Sequence, residues 1–187
     1  MTLLNKLSVF CLLLVTLIAC NSDDPINIID DVIDDPSEGK LTATIDGSNF
    51  SALDDSLTAQ LVLITINGSE AYFISIGGAS IDGSLVQGLG FSFGDGDING
   101  LVAGKTHQGI SNDTGLQYAL GTYQEEGSNE LTATSEGTDN ARVTVTSINM
   151  TDKTISGEFS FTGIDEDTGE SHNITNGVFT DITYTED

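Results

Sequence analysis

Asp95-Gly96-Asp97-Ile98-Asn99-Gly100 sets oxygen-bearing side chains at alternate positions and a glycine at the sixth. That is the first half of a calcium loop, where hard oxygens surround the cation and glycine allows the sharp turn. Asp95, Asp97 and Asn99 are therefore candidate calcium ligands. The twelfth position is Thr106, where a helix–loop–helix site needs a bidentate glutamate. Completion would call on another loop, such as Asp165, Glu166 and Asp167, and the same aspartate–glycine pattern also makes ordinary turns. The two histidines, His107 and His172, are too few for a transition-metal site and are expected to be solvated loop or strand residues. No Gly-x-Ser-x-Gly elbow and no His-Glu-x-x-His occurs. Paired carboxylates hydrolyse glycosides, but among 29 acids such a pair arises by chance. The expectation is a non-enzymatic protein, with calcium as its one possible cofactor.

The remaining reactive group is a thiol. Cys11 lies in an apolar run and Cys20 follows it; from Lys40 onward there is none, so neither a disulfide framework nor a thiol nucleophile is available there. Lys6 and then Leu7–Ile18, interrupted by Ser8 and Thr16, have the form of a secretory signal. At about 1.5 Å per residue that run reaches about 18 Å, short of a hydrocarbon core of about 30 Å. A cleaved leader fits better than a spanning helix.

Leu17-Ile18-Ala19-Cys20 resembles the lipobox of bacterial lipoproteins. The resemblance implies cleavage after residue 19, acylation of the Cys20 thiol and attachment to a lipid bilayer through it. Two or more acyl chains give a stable anchor, at about 0.8 kcal/mol per buried CH2. Ser22-Asp23-Asp24 directly behind resembles the export signal of Bacteroidetes-type surface lipoproteins. It implies an outer-membrane, outward-facing location. Asp55-Ser56-Leu57 is similar to the short pattern at which exported proteins of that group are O-glycosylated, which makes Ser56 a candidate site.

The formal charge is −24, and loss of Lys6 with the leader makes it one unit more negative. Such a chain repels nucleic acid and anionic membrane surfaces. Between Cys20 and the fold, residues 20–39 read as a tether rich in aspartate with Pro25 and Pro36. Repelling charges and proline keep it extended, spanning about 25 Å on average. Ile26, Ile28, Ile29, Val32 and Ile33 are apolar for a spacer and could form a short strand or a contact.

Residues 40–187 read as strands. Leu41–Ile45 alternates and is followed by Asp46-Gly47; Leu61–Ile66 is a nearly continuous apolar run, as for a strand covered on both faces, followed by Asn67-Gly68. Tyr72, Ile74 and Ile76 share one side of the next strand. Leu89, Phe91 and Phe93 share one side of another, while Gly88, Gly90 and Ser92 leave its other side bare. Glycine within a strand marks a bulge or a close approach, so this face is either tightly packed or open to a ligand. Tyr118 and Leu120 are expected inward on the next strand. Val143 and Val145, then Ile155, Gly157, Phe159 and Phe161, define the inner faces that follow, with Thr151-Asp152-Lys153 and Asp165–Gly169 as turns. No stretch has a helical period. The fold expected is all-β, a single antiparallel β-sandwich or barrel of about eight to ten strands. Thr154–Thr162 with Ile174–Thr180 resembles the closing hairpin of an uncharacterised family of Bacteroidetes lipoproteins.

The functional expectation is thus a membrane-anchored, surface-exposed lipoprotein. Residues 1–19 would be its leader, 20–39 its lipidated tether and 40–187 a domain binding an extracellular glycan or protein. The alternative is a carrier of small molecules or lipids. In a carrier the apolar strand faces would enclose a cavity instead of filling it.

Overall fold

The computed structural model describes residues 39–66, 68–110, 117–126 and 131–187, all within the unit Asp35–Asp187. The chain is all-β, in one large, mostly antiparallel sheet of twelve strands that folds over a common core. β1 (Lys40–Ile45) and β2 (Ser48–Ser51) form a hairpin; β3 (Thr58–Ile66), β4 (Ser69–Asp82) and β5 (Leu85–Asp95) form a meander. β6 (Thr106–Gln108), β7 (Tyr118–Glu126) and β8 (Leu131–Thr134) follow. A second meander comprises β9 (Arg142–Asn149), β10 (Thr154–Asp165) and β11 (Ser171–Thr183), and β12 (Thr185–Glu186) ends the chain. The main path runs β12-β3-β4-β5-β7-β8-β10-β11-β1-β2. β12 is separated from β11 only by Tyr184, yet it pairs in parallel with Gln60 and Leu61 of β3, so the last strand stitches one edge of the sheet back to its middle.

The two halves of the sheet differ. Pairing of β3, β4, β5 and β7 runs in continuous register. The other half is bulged: opposite Thr42/Thr44 of β1 and opposite Ile155/Gly157 and Phe159/Phe161 of β10 the extra residue lies each time in β11. Bulges bend strands and add twist, which lets the second half wrap over the first. Between the halves the sheet forks. β10 pairs with β9 up to Ser160 and with β8 from Ile164. Thr162 sits in the gap, its N–H donating to Asn140 (3.0 Å) and its carbonyl accepting from Thr138 Oγ1 (2.9 Å). The β8–β9 connection thus supplies the hydrogen bonds that neither strand supplies there.

Aromatic rings fill the interior. Phe91 stacks on Phe159 at 4.3 Å between centroids and tilts against Phe179 at 5.2 Å. Space for the rings comes from glycine. A Cβ at Gly121 would overlap the Phe161 ring, one at Gly157 the Phe179 ring, and one at Gly177 the Phe159 ring. The expected inward sets Tyr72/Ile74/Ile76, Leu89/Phe91/Phe93, Val143/Val145 and Ile155/Phe159/Phe161 are all buried.

β7 is the exception. Ala119, Gly121 and Tyr123 face the core, while Tyr118 and Leu120 are half-buried on the outside, the reverse of the expected orientation. Both parities of this strand carry apolar residues, and the Phe161 ring decides between them because only glycine fits beneath it. Leu61–Ile66 also departs from expectation, since Leu61 is buried but Val62 and Ile64 are only half-covered on the outer side. The strands beyond the expected number include β2, β6 and β12, each too short to display a period.

Gly121→Ala should cost about 1–3 kcal/mol, the range for overpacking a core. Urea unfolding of the variant checks this; an unchanged midpoint would mean that Phe161 swings aside freely.

Candidate functional site

β3, β4, β5 and β7 place their outward residues in continuous rows. Gly77 pairs with Gly90, Ala79 with Gly88, Gly90 with Thr122 and Gly88 with Gln124. The outward positions from Thr58 to Ile66, Ser69 to Ile81, Val86 to Gly94 and Tyr118 to Gln124 include no Asp, Glu, Lys or Arg. Acids stand at the margins of this face: Glu126, paired with Val86, ends the β7 row, and Gln60 Nε2 donates to Asp187 Oδ2 at 2.6 Å. Phe73 and Tyr118 stand on it with ring centroids 5.7 Å apart. They close over Gly94, where an added Cβ would lie 2.8 Å from the Tyr118 ring and 3.0 Å from the Phe73 ring.

The glycines beside this pair are different. A Cβ at Gly77, Gly88 or Gly90 would meet nothing among the described residues closer than 3.4, 3.7 and 3.6 Å, which is ordinary contact. None of the three has a positive φ. Among the described residues a Cβ at each of the three would be in ordinary contact, and no positive φ calls for glycine, although glycine in a strand costs about 0.5–1 kcal/mol relative to alanine. Ser92, in the same row, is buried.

A second polar group lies inside. His107, expected to be solvated, is fully buried on β6, with Nε2 2.6 Å from the Tyr72 hydroxyl and its ring 4.9 Å from Phe93. Burial lowers its pKa to about 4, with Lys105 adding to the effect while Asp95 and the main chain of Val143 oppose it. Burial likewise raises the Tyr72 hydroxyl, aided by Asp95 and Asp97. Both groups are neutral, so the Tyr72 O–H donates to Nε2 in the Nδ1–H tautomer and accepts from it in the Nε2–H tautomer. Nδ1 is buried without a well-formed hydrogen bond.

His172 is more accessible. Its Nδ1 is 2.8 Å from Asp46 Oδ2, while the same carboxylate accepts the Asn173 N–H at 2.7 Å. Its ring lies 5.5 Å from Tyr123, whose hydroxyl donates to Glu125 and accepts from Gln87 Nε2. Burial raises Tyr123 first, and the Glu125 hydrogen bond adds to it. The Asp46 interactions pin the β1–β2 turn to β11.

Asp95 and Asp97 are committed elsewhere. Asp95 pairs with Lys105 Nζ at 3.1 Å. Asp97 Oδ1 accepts from the Asn99 N–H (2.9 Å) and from Asn99 Nδ2 (2.8 Å), capping the 3-10 turn Ile98–Gly100. Asp165 spends its carboxylate on the N–H groups of Thr168, Asp167 and Thr132, which hold its pKa below the usual value. Among the described residues no three His, Cys, Asp or Glu side chains converge. A calcium ion here would compete with Lys105 for Asp95 and with the Asn99 amide for Asp97. Ser56 is also engaged by the fold. Its Oγ reaches the carbonyls of Leu53 (2.6 Å) and Ala79 (3.0 Å) and accepts the Ala79 N–H (2.8 Å), tying a 3-10 turn to β4. Cys20 and Asn67 lie outside the described residues.

Residues 104–183 match a family model described as a domain of unknown function, DUF6252. The matched segment runs through β6 to the end of β11 and includes His107, Tyr118 and the bulged half of the sheet. No curated protein and no solved structure matches the chain.

The buried histidine makes a test of the core. Its folded pKa of about 4 lies below the ordinary 6.5, so the unfolded chain takes up the proton first. The associated stability is complete above pH 6.5 and is lost as pH falls toward 4, amounting to about 2 kcal/mol between pH 7.5 and 5. Urea unfolding across that range should show the loss, and His107→Gln should flatten it. An equal slope in the variant would assign the pH dependence to other groups.

Proposed function

We propose that the protein is a lipid-anchored binding module of the outer membrane, turned outward, whose ligand surface is the outer face of β3, β4, β5 and β7. The observation that carries this reading is the strip of Gly77, Gly88 and Gly90, where a Cβ would make only ordinary contacts with the described residues. A strand gives up stability at such positions when something outside it approaches closely. The anchor rests on Leu17–Cys20 and the aspartate-rich run after it. Its geometric consequence is simple: an extended acidic tether stands the domain clear of the lipid surface.

A binding role is favoured over catalysis. The His107–Tyr72 pair is sealed in the core, and Asp46 divides its carboxylate between His172 and the Asn173 N–H. The carrier alternative draws no support from the interior, where Phe91, Phe159 and Phe179 are stacked in the space that a cavity would need.

Cys20→Ala should move the chain from the membrane fraction to the soluble or secreted fraction and abolish labelling with radioactive palmitate. Protease added to intact cells should remove the wild-type domain. A Cys20→Ala chain that stays with the membrane, or a wild-type chain that resists protease until cells are broken, would refute the anchored, outward-facing arrangement.

A further inference from the structure

We propose that Met150 is an oxidation site: a peroxide converts its thioether to one sulfoxide epimer in excess, and the change releases the buried Tyr184 hydroxyl that helps to fasten β12. Three observations carry this, and none of them involves the ligand surface proposed above.

The first is the sulfur itself. Beyond Cys20 the sequence holds one sulfur atom, that of Met150. The residue lies in the turn between β9 and β10 and is 51% exposed, so solvent reaches the thioether. The step balances with the peroxide as oxidant. A sulfur lone pair attacks one peroxide oxygen, the O–O bond breaks and an S–O bond forms. Sulfur loses two electrons, and the peroxide is reduced to water, or to an alcohol where it is organic.

The second is what the sulfur holds. The Tyr184 O–H donates to Met150 Sδ at 3.3 Å, and among the described residues it has no other partner. Tyr184 is buried. Burial raises its pKa, and Glu186 adds to the effect, so the hydroxyl keeps its proton and stays a donor. A thioether is a weak acceptor, but a buried donor left without any acceptor bears the full cost of its desolvation.

The third is the place of this contact in the fold. Tyr184 is the single residue between β11 and β12. Its N–H donates to the Lys153 carbonyl at 2.9 Å, and Lys153 Nζ lies 3.5 Å from Glu186. The β9–β10 turn therefore grips the chain where it enters β12. From there β12 pairs with β3, and Asp187 bonds through its main chain to Leu61 (3.1 Å) and Leu63 (3.3 Å). The Met150–Tyr184 bond links an exposed sulfur to the strand that closes the sheet.

Geometry selects the epimer. A thioether sulfur has two lone pairs, and Tyr184 occupies one of them. A peroxide arriving from solvent meets the other. The new oxygen then points away from the hydroxyl, and the sulfoxide sulfur is too electron-poor to accept from it.

The test treats the detergent-solubilised full chain with hydrogen peroxide, locates the added oxygen by peptide mapping, and then offers the product to methionine sulfoxide reductases specific for each epimer. Oxygen at Met150 is expected, removed by one reductase much more completely than by the other. Amide hydrogen exchange in residues 58–66 and 184–187 should quicken about fivefold on oxidation, the scale of one lost hydrogen bond, and recover on reduction. Tyr184→Phe keeps the ring and removes the donor; it should give both epimers in similar amounts and an exchange rate that peroxide leaves unchanged. Met150→Leu should show no response to peroxide in this region. Wild-type sulfoxide removed equally by the two reductases, or oxidised wild-type chain that exchanges no faster than reduced, would overturn the proposal, and both readings are made on the unmutated chain.

Discussion

The architecture depends on rings seated in glycine gaps. Phe161 over Gly121, Phe179 over Gly157 and Phe159 over Gly177 bring the two halves of the sheet close enough for Phe91 to stack on Phe159 at 4.3 Å. Each ring buries a large apolar surface, and aromatic pairs add about 0.5–1.5 kcal/mol beyond area. A domain with no cysteine from Lys40 onward has no covalent staple to substitute for this packing. The same constraint sets the orientation of β7. Once Gly121 must lie under Phe161, Tyr118 and Leu120 have to point outward, and the outer face acquires its aromatic pair.

Glycine therefore has two distinct roles in one sheet. At Gly121, Gly157 and Gly177 it makes room for the protein's own rings. At Gly77, Gly88 and Gly90 an added Cβ would make ordinary contacts with the described residues. Composition does not separate the roles, since both sets sit within strands and none of the six has a positive φ. Only the atoms opposite each glycine do so. The bulges follow the same division: they fall in the half that curves over the core, while the half carrying the bare strip is regular and level.

Much of the fold is legible in the residues. Asp46-Gly47, Asp82-Gly83 and Thr151-Asp152-Lys153 mark turns because their geometry needs left-handed backbone, seen at Asp46 (φ 48°), Gly47 (φ 88°) and Lys153 (φ 53°). Clean alternation marks the inner faces of β4, β5, β9 and β10. β7 is misread because alternation gives no answer when both parities are apolar. His107 is misread because a three-residue strand carries no periodicity, and its partner Tyr72 lies 35 positions away. The bare side of β5 is visible as Gly88-x-Gly90-x-Ser92. Its continuation through Gly77 and its aromatic edge require the register between strands, which no single segment encodes.

The carboxylates of the Asp95–Gly100 segment show how a motif can be satisfied by its neighbours. Alternate oxygens and a sixth-position glycine serve a cation when the side chains converge, and serve a turn when they cap it. Here Asp97 caps Ile98–Gly100 through Asn99, and Asp95 turns to Lys105. Asp95 and Lys105 also act with opposite sign on the His107 ring, so this surface ion pair sits beside the one imidazole packed into the core. Lys105 outweighs Asp95 there, and desolvation is the largest of the effects that hold the ring neutral. The aromatic pair of the outer face is set by packing of another kind: Phe73 and Tyr118 close over Gly94 with ring centroids 5.7 Å apart, a contact that the register of β4, β5 and β7 creates.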